Sequence, residues 1–110
     1  PSVGGEIAAV LCVLASQGHA SADAAAAAFR VGLAIALPDS TMTYHAPSDW
    51  PALLDEALPR LNELTPDGKE RLLRALLATV EHDGEVTLTE AEALRAICAC
   101  LHIPVPPLGQ

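Results

Sequence analysis

Thr65-Pro66-Asp67-Gly68-Lys69-Glu70-Arg71-Leu72-Leu73-Arg74-Ala75-Leu76-Leu77-Ala78-Thr79-Val80 reads as one amphipathic helix from end to end. Thr65 offers a hydroxyl N-cap, Pro66 falls where a missing N–H costs nothing, and Asp67 sits near the positive end of the helix dipole. Leu72, Leu73, Leu76, Leu77 and Val80 recur at three- and four-residue spacing, while Lys69, Glu70, Arg71 and Arg74 occupy the opposite face. So apolar a stripe needs partners, and the flanking sequence supplies them as further helices.

Downstream, Thr87-x-x-Glu90 and Thr89-x-x-Glu92 both fit a capping box, and either opens a helix through Leu94, Ile97, Cys98 and Leu101 that Pro104, Pro106 and Pro107 bring to an end. Upstream, residues 50–62 carry Leu53, Leu54, Ala57, Leu58 and Leu61 in a third helical pattern, which Pro59 is expected to kink or divide. Residues 38–49 lose periodicity and read as a loop around an isolated Tyr44. Before it, residues 6–16 place Ile7, Val10, Leu11 and Leu14 on one stripe with Gly18 behind. A helix capped by Ser21 then carries Phe29, Leu33 and Leu37 until Pro38. The expectation is an all-α protein, a compact bundle of about five helices in one domain over residues 1–110. Its parts are a flexible start at 1–5, a helical hairpin at 6–37, a loop at 38–49, a three-helix part at 50–101 and a proline-rich tail at 102–110.

Composition agrees. Of 110 residues, 51 % are hydrophobic but only 3 % aromatic, so the core must be built from Ala, Leu, Val and Ile, a mixture suited to close helix packing. A formal charge of −8 argues against nucleic acid and anionic membrane surfaces as partners, since affinity for phosphate rests on clustered Lys and Arg. No apolar run reaches the ~18 residues that suggest a spanning helix, so direct membrane insertion by this segment is not expected. The three cysteines, Cys12, Cys98 and Cys100, form no C-x-x-C pair and read as small hydrophobes of a reduced protein. The opening Pro1-Ser2-Val3-Gly4-Gly5 reads as part of something longer.

Potential ligands converge at one place, Val80-Glu81-His82-Asp83-Gly84-Glu85-Val86-Thr87-Leu88-Thr89-Glu90. In a calcium-loop register Thr79, Glu81, Asp83, Gly84, Glu85, Thr87 and Glu90 take positions one, three, five, six, seven, nine and twelve, with Thr79 standing where an Asp is wanted. Two readings stay open. In one, Asp83-Gly84 ends a helix and Thr87 starts the next, with Glu85 and Glu90 favouring its positive end. In the other, Asp83, Glu85 and Glu90 also bind a hard divalent cation, Ca²⁺ or Mg²⁺. His82 reads as a surface residue, and His19, behind Gly18, as an imidazole at a helix C-terminus. No His-Glu-x-x-His pair, nucleophile elbow or phosphate loop is present, so no catalytic residue is assigned.

The segments Leu72-Leu73-Arg74-Ala75-Leu76, His82-Asp83-Gly84-Glu85-Val86, Glu90 to Ile97 and Ile103-Pro104-Val105-Pro106-Pro107-Leu108 together resemble the C-terminal module of bacterial zinc metallopeptidases related to HtpX and the CAAX prenyl endopeptidases. Leu14-Ala15-Ser16-Gln17-Gly18-His19 and Ala28-Phe29 extend the likeness, which spans roughly residues 11–108. The Asp83-Gly84 turn with Glu90 also resembles the acidic motif of TerB-like helical domains, which implies a TerB-like C-terminal half and divalent-metal binding. The peptidase resemblance implies a non-catalytic accessory domain, cytoplasmic, of a parent enzyme in the bacterial inner membrane. Zinc would then belong to the peptidase domain and not to these residues. The implied partners are that peptidase domain, a protein substrate or adaptor, or a second copy in a homodimer. Apolar surface around Trp50, Leu64 or the proline tail is the expected docking surface.

Overall fold

A computed structural model describes residues 4–19, 21–82 and 87–103 of the chain. It is all-helical: the described residues form α1 (Gly4–Gly18), α2 (Ala22–Ala36), α3 (Trp50–Leu61), α4 (Pro66–Val80) and α5 (Leu88–Leu101), with no strand among them.

α1 lies at the centre and packs against all four other helices. One stripe, Ile7, Val10, Leu11 and Leu14, is the expected buried face, yet Ala8, Cys12, Val13 and Ala15 are buried as well. A helix that is apolar all round belongs in the interior, and α1 is that case. Its weak amphipathicity conceals half of its contacts from a one-face reading.

The starts follow the expected chemistry. Hydroxyls of Ser21, Thr65 and Thr87 accept from the N–H groups of Ala24, Gly68 and Glu90 at 3.0–3.1 Å, and the Asp49 carboxylate accepts from Ala52 at 3.3 Å. Thr87 is thus the cap of α5, and Thr89 lies inside the helix. Pro59 does not divide α3, which continues to Leu61. The carbonyl it leaves without a helical donor belongs to Asp55, and both residues are on the exposed side, where water can satisfy that oxygen.

α5 stops before the prolines. His102 adopts a left-handed backbone, φ 59°, and the Ile103 N–H bonds back to the Cys98 carbonyl at 2.9 Å. A non-glycine residue rarely takes this conformation. Here the His102 Nδ1 lies 3.2 Å from Asn62 Oδ1, which also accepts from Lys69 Nζ at 2.8 Å, so one amide ties the α3–α4 turn to the end of α5.

α2 and α4 form the most extensive helix pair. Gly32 makes their close approach possible, because a Cβ there would overlap Thr79 Oγ1 and press on the Ala75 carbonyl. That carbonyl also accepts from the Thr79 hydroxyl at 2.9 Å, which satisfies the only uncharged polar side chain buried among the described residues.

Candidate functional site

Asp83, Gly84, Glu85 and Val86, the centre of the acidic turn, lie outside the described residues, so the cation site expected from Asp83 and Glu85 is not described. Its borders are. Thr79, position one of the calcium-loop register, is fully buried inside α4 with its hydroxyl given to Ala75, so it is not placed as a ligand. Glu81 is the exposed C-cap residue of α4, and His82 beside it is exposed. Glu90 is fully buried, a carboxylate drawn into the interior on the first turn of α5. Among the described residues, no three His, Cys, Asp or Glu side chains stand together as a ligand group.

Burial of Glu90 depends on Gly18. Any Cβ at position 18 would fall within the Glu90 carboxyl group, so the last turn of α1 is cut back to backbone where α5 begins. The neighbouring His19 ring places Nδ1 3.0 Å from the Ala15 carbonyl, as an imidazole donor at a helix C-terminus would. His82 stacks obliquely over it with ring centroids 6.2 Å apart. The Thr87 hydroxyl reaches the Gln17 carbonyl at 3.4 Å. The end of α1, the end of α4 and the start of α5 therefore meet at a knot of polar groups around one buried carboxylate. A charge in that position stabilises the fold only while its polar contacts are kept.

A wide hollow lies elsewhere, between α1, α3 and the segment joining α2 to α3. It is a groove of about 740 Å³, within the range of ligand-binding clefts. Gly5, Ala8, Ala9 and Cys12 make its floor, Ala52 and Leu53 one wall, and residues 41–49 the other. The floor is open because these side chains are small. Residues 41–49 carry no helix, and they are anchored by Tyr44, whose ring packs on Phe29 with centroids 6.0 Å apart. Burial pushes the Cys12 thiol above its ordinary pKa, partly opposed by a hydrogen bond from the His45 backbone. Burial, with the Cys12 charge second, likewise raises Tyr44.

Two carboxylates, Asp49 and Glu56, line the groove and no Lys or Arg does. Asp49 is partly engaged as the α3 cap. Glu56 is exposed and has no ion-pair partner among the described residues. The expected docking positions fare differently: Trp50 and Leu64 are half-buried and packed against the core, and the proline tail from Pro104 is not among the described residues. Among the described residues, the exposed large apolar side chains are Leu88, Met42, Val31 and Ile35. The groove escaped the sequence reading although a signal exists, since Gly5, Ala8, Ala9 and Cys12 follow an i, i+3, i+4, i+7 spacing of their own. That second stripe is made of residues too small to announce a contact.

Comparison with protein-family models, curated proteins and solved structures yields no match for this chain.

Proposed function

We propose that this chain is a non-catalytic accessory domain of a membrane-associated zinc metallopeptidase, acting by binding a protein segment and not by chemistry of its own. The single observation behind this is the apolar groove between α1 and α3, open to solvent and floored by Gly5, Ala8, Ala9 and Cys12. A soluble domain gains nothing in stability from leaving such a hollow unfilled, whereas a binding module needs it. The order of Gly18-His19, Ala28-Phe29, Asp83-Gly84 with Glu90 and Pro104-x-Pro106-Pro107 supplies the peptidase parentage. No described helix is long and apolar enough to cross a bilayer.

The test has two parts. The coding sequence preceding Pro1 is expected to hold a His-Glu-x-x-His helix and spanning segments, and the isolated chain is expected to hydrolyse no peptide with or without added zinc. Peptide cleavage by the purified chain overturns the reading, and an upstream sequence without the zinc motif removes the parentage.

A second reading, a TerB-like divalent-cation module using Asp83, Glu85 and Glu90, draws on the complete burial of Glu90 at the base of the acidic turn. It predicts a melting temperature that rises with millimolar Ca²⁺ or Mg²⁺, by ~2.7 kcal/mol of stabilisation at a hundredfold excess over Kd. The rise must vanish in the Asp83→Asn, Glu90→Gln double variant. A melting temperature indifferent to both ions rejects it.

A further inference from the structure

We propose that the α1–α3 groove receives the apolar face of a partner peptide helix whose flanks carry lysine or arginine. This rests on the binding-module reading and gives that partner its chemistry. Three features of the groove point to it. Gly5, Ala8, Ala9 and Cys12 on α1, with Ala52 and Leu53 on α3, present a trough of small apolar groups bounded by two helices, the shape into which an amphipathic helix lays side chains at three- and four-residue spacing. The trough is held open before any partner arrives, because the Tyr44 ring packed on Phe29 anchors its third wall. Such a site demands little ordering on binding.

Charge selects among apolar ligands. Asp49 and Glu56 stand in the lining, which holds His45 but no Lys or Arg, and the one Lys or Arg at the adjoining hollow, Arg60, is engaged with Glu6 at 3.4 Å. The whole chain carries −8. A fatty acid or anionic lipid would bring its headgroup to these carboxylates and be repelled, whereas a basic flank beside the same apolar face is attracted and oriented. Glu56, exposed and without an ion-pair partner among the described residues, is the residue that reads this flank.

The experiment uses the full chain immobilised against a random dodecapeptide display library. Enriched sequences are resynthesised with a fluorophore and titrated by fluorescence polarisation. They are expected to alternate apolar residues at helical spacing with basic residues at their ends, and to bind less tightly as salt rises. Ala9→Trp, which fills the trough, is expected to weaken them at least ~10-fold, and Glu56→Lys, which cannot disturb the core, by ~5-fold or more. The exposed substitution Leu88→Ser should leave affinity unchanged. The inference is overturned if no such peptides enrich, if their affinity ignores both Ala9→Trp and Glu56→Lys, or if dodecanoate binds the groove in their place. Failure here with a zinc-peptidase motif upstream of Pro1 removes the groove's assignment and leaves the parentage. Success without that motif does the reverse.

Discussion

Gly32→Ala sets two physical effects of opposite sign against each other in the α2–α4 seam. Helix propensity alone favours alanine in a helix interior by about 1 kcal/mol. Packing opposes it, since the added methyl would overlap Thr79 Oγ1 and lie 2.9 Å from the Ala75 carbonyl oxygen and 3.1 Å from Leu11 Cδ2. The carbonyl is α4 backbone and cannot swing aside, and the Thr79 hydroxyl is committed to it. Relieving the carbonyl contact alone requires the helices to separate by ~0.5 Å, enough to forfeit about a quarter of the dispersion energy of each contact loosened, and the Thr79 hydroxyl requires more. Overpacked cores lose ~1–3 kcal/mol, and a seam between two 15-residue helices places this site at the upper end. Subtracting the propensity gain leaves a net loss of about 2 kcal/mol, a fall of ~8–12 °C in Tm for a domain of this size. Urea unfolding followed by far-UV circular dichroism measures it, with Gly5→Ala as the control because a methyl there meets nothing within 4 Å. The control should be neutral or up to ~0.5 kcal/mol more stable. A Gly32→Ala protein as stable as the parent would refute the close packing of α2 on α4.

Further outcomes follow from the same structure. Gly18→Ala should destabilise by displacing the Glu90 carboxylate, and the loss should shrink in a Glu90→Ala background. Thermal melts across the four proteins of that cycle should give a coupling of ~1–2 kcal/mol, and additivity would argue that the two residues do not share one space. Cys100 is exposed while Cys12 and Cys98 are buried with their thiols pushed up in pKa by desolvation. A disulfide reagent near pH 8 should therefore titrate one thiol rapidly and the other two only in denaturant. Pro59→Ala should restore a donor to the Asp55 carbonyl and raise stability by ~1–2 kcal/mol, read as a higher urea midpoint. An unchanged midpoint would mean that water already satisfies that carbonyl fully.

The helices were legible because their ends are written in short-range chemistry. Ser21, Thr65 and Thr87 cap by bonds spanning three residues, so local sequence alone carries the signal. The depth of α1 was not, because its burial on every side depends on four other helices and its small residues weaken any periodic pattern. Of the kink or division expected at Pro59, division does not occur, for a related reason: the local cost of a proline is real, but which side of α3 faces solvent is a tertiary fact. At the acidic turn, the sequence reading named Glu90 for its charge and its place in the capping box. Its burial follows from Gly18, 72 residues away in the chain, and no spacing rule links the two. The cation-binding role of Asp83, Glu85 and Glu90 stays a proposal for the ion titration to decide. The groove was hidden by its own composition, since alanine and glycine read as filler and not as a surface.

Placing α1 at the hub has a consequence for biosynthesis. Of the five helices this one is translated first, and every helix it packs against follows it, ending with α5. Until the last of them is made, part of this apolar rod lacks its cover, and truncation before α5 would leave that part bare. Holdase chaperones that bind exposed Val and Leu would meet it in that interval.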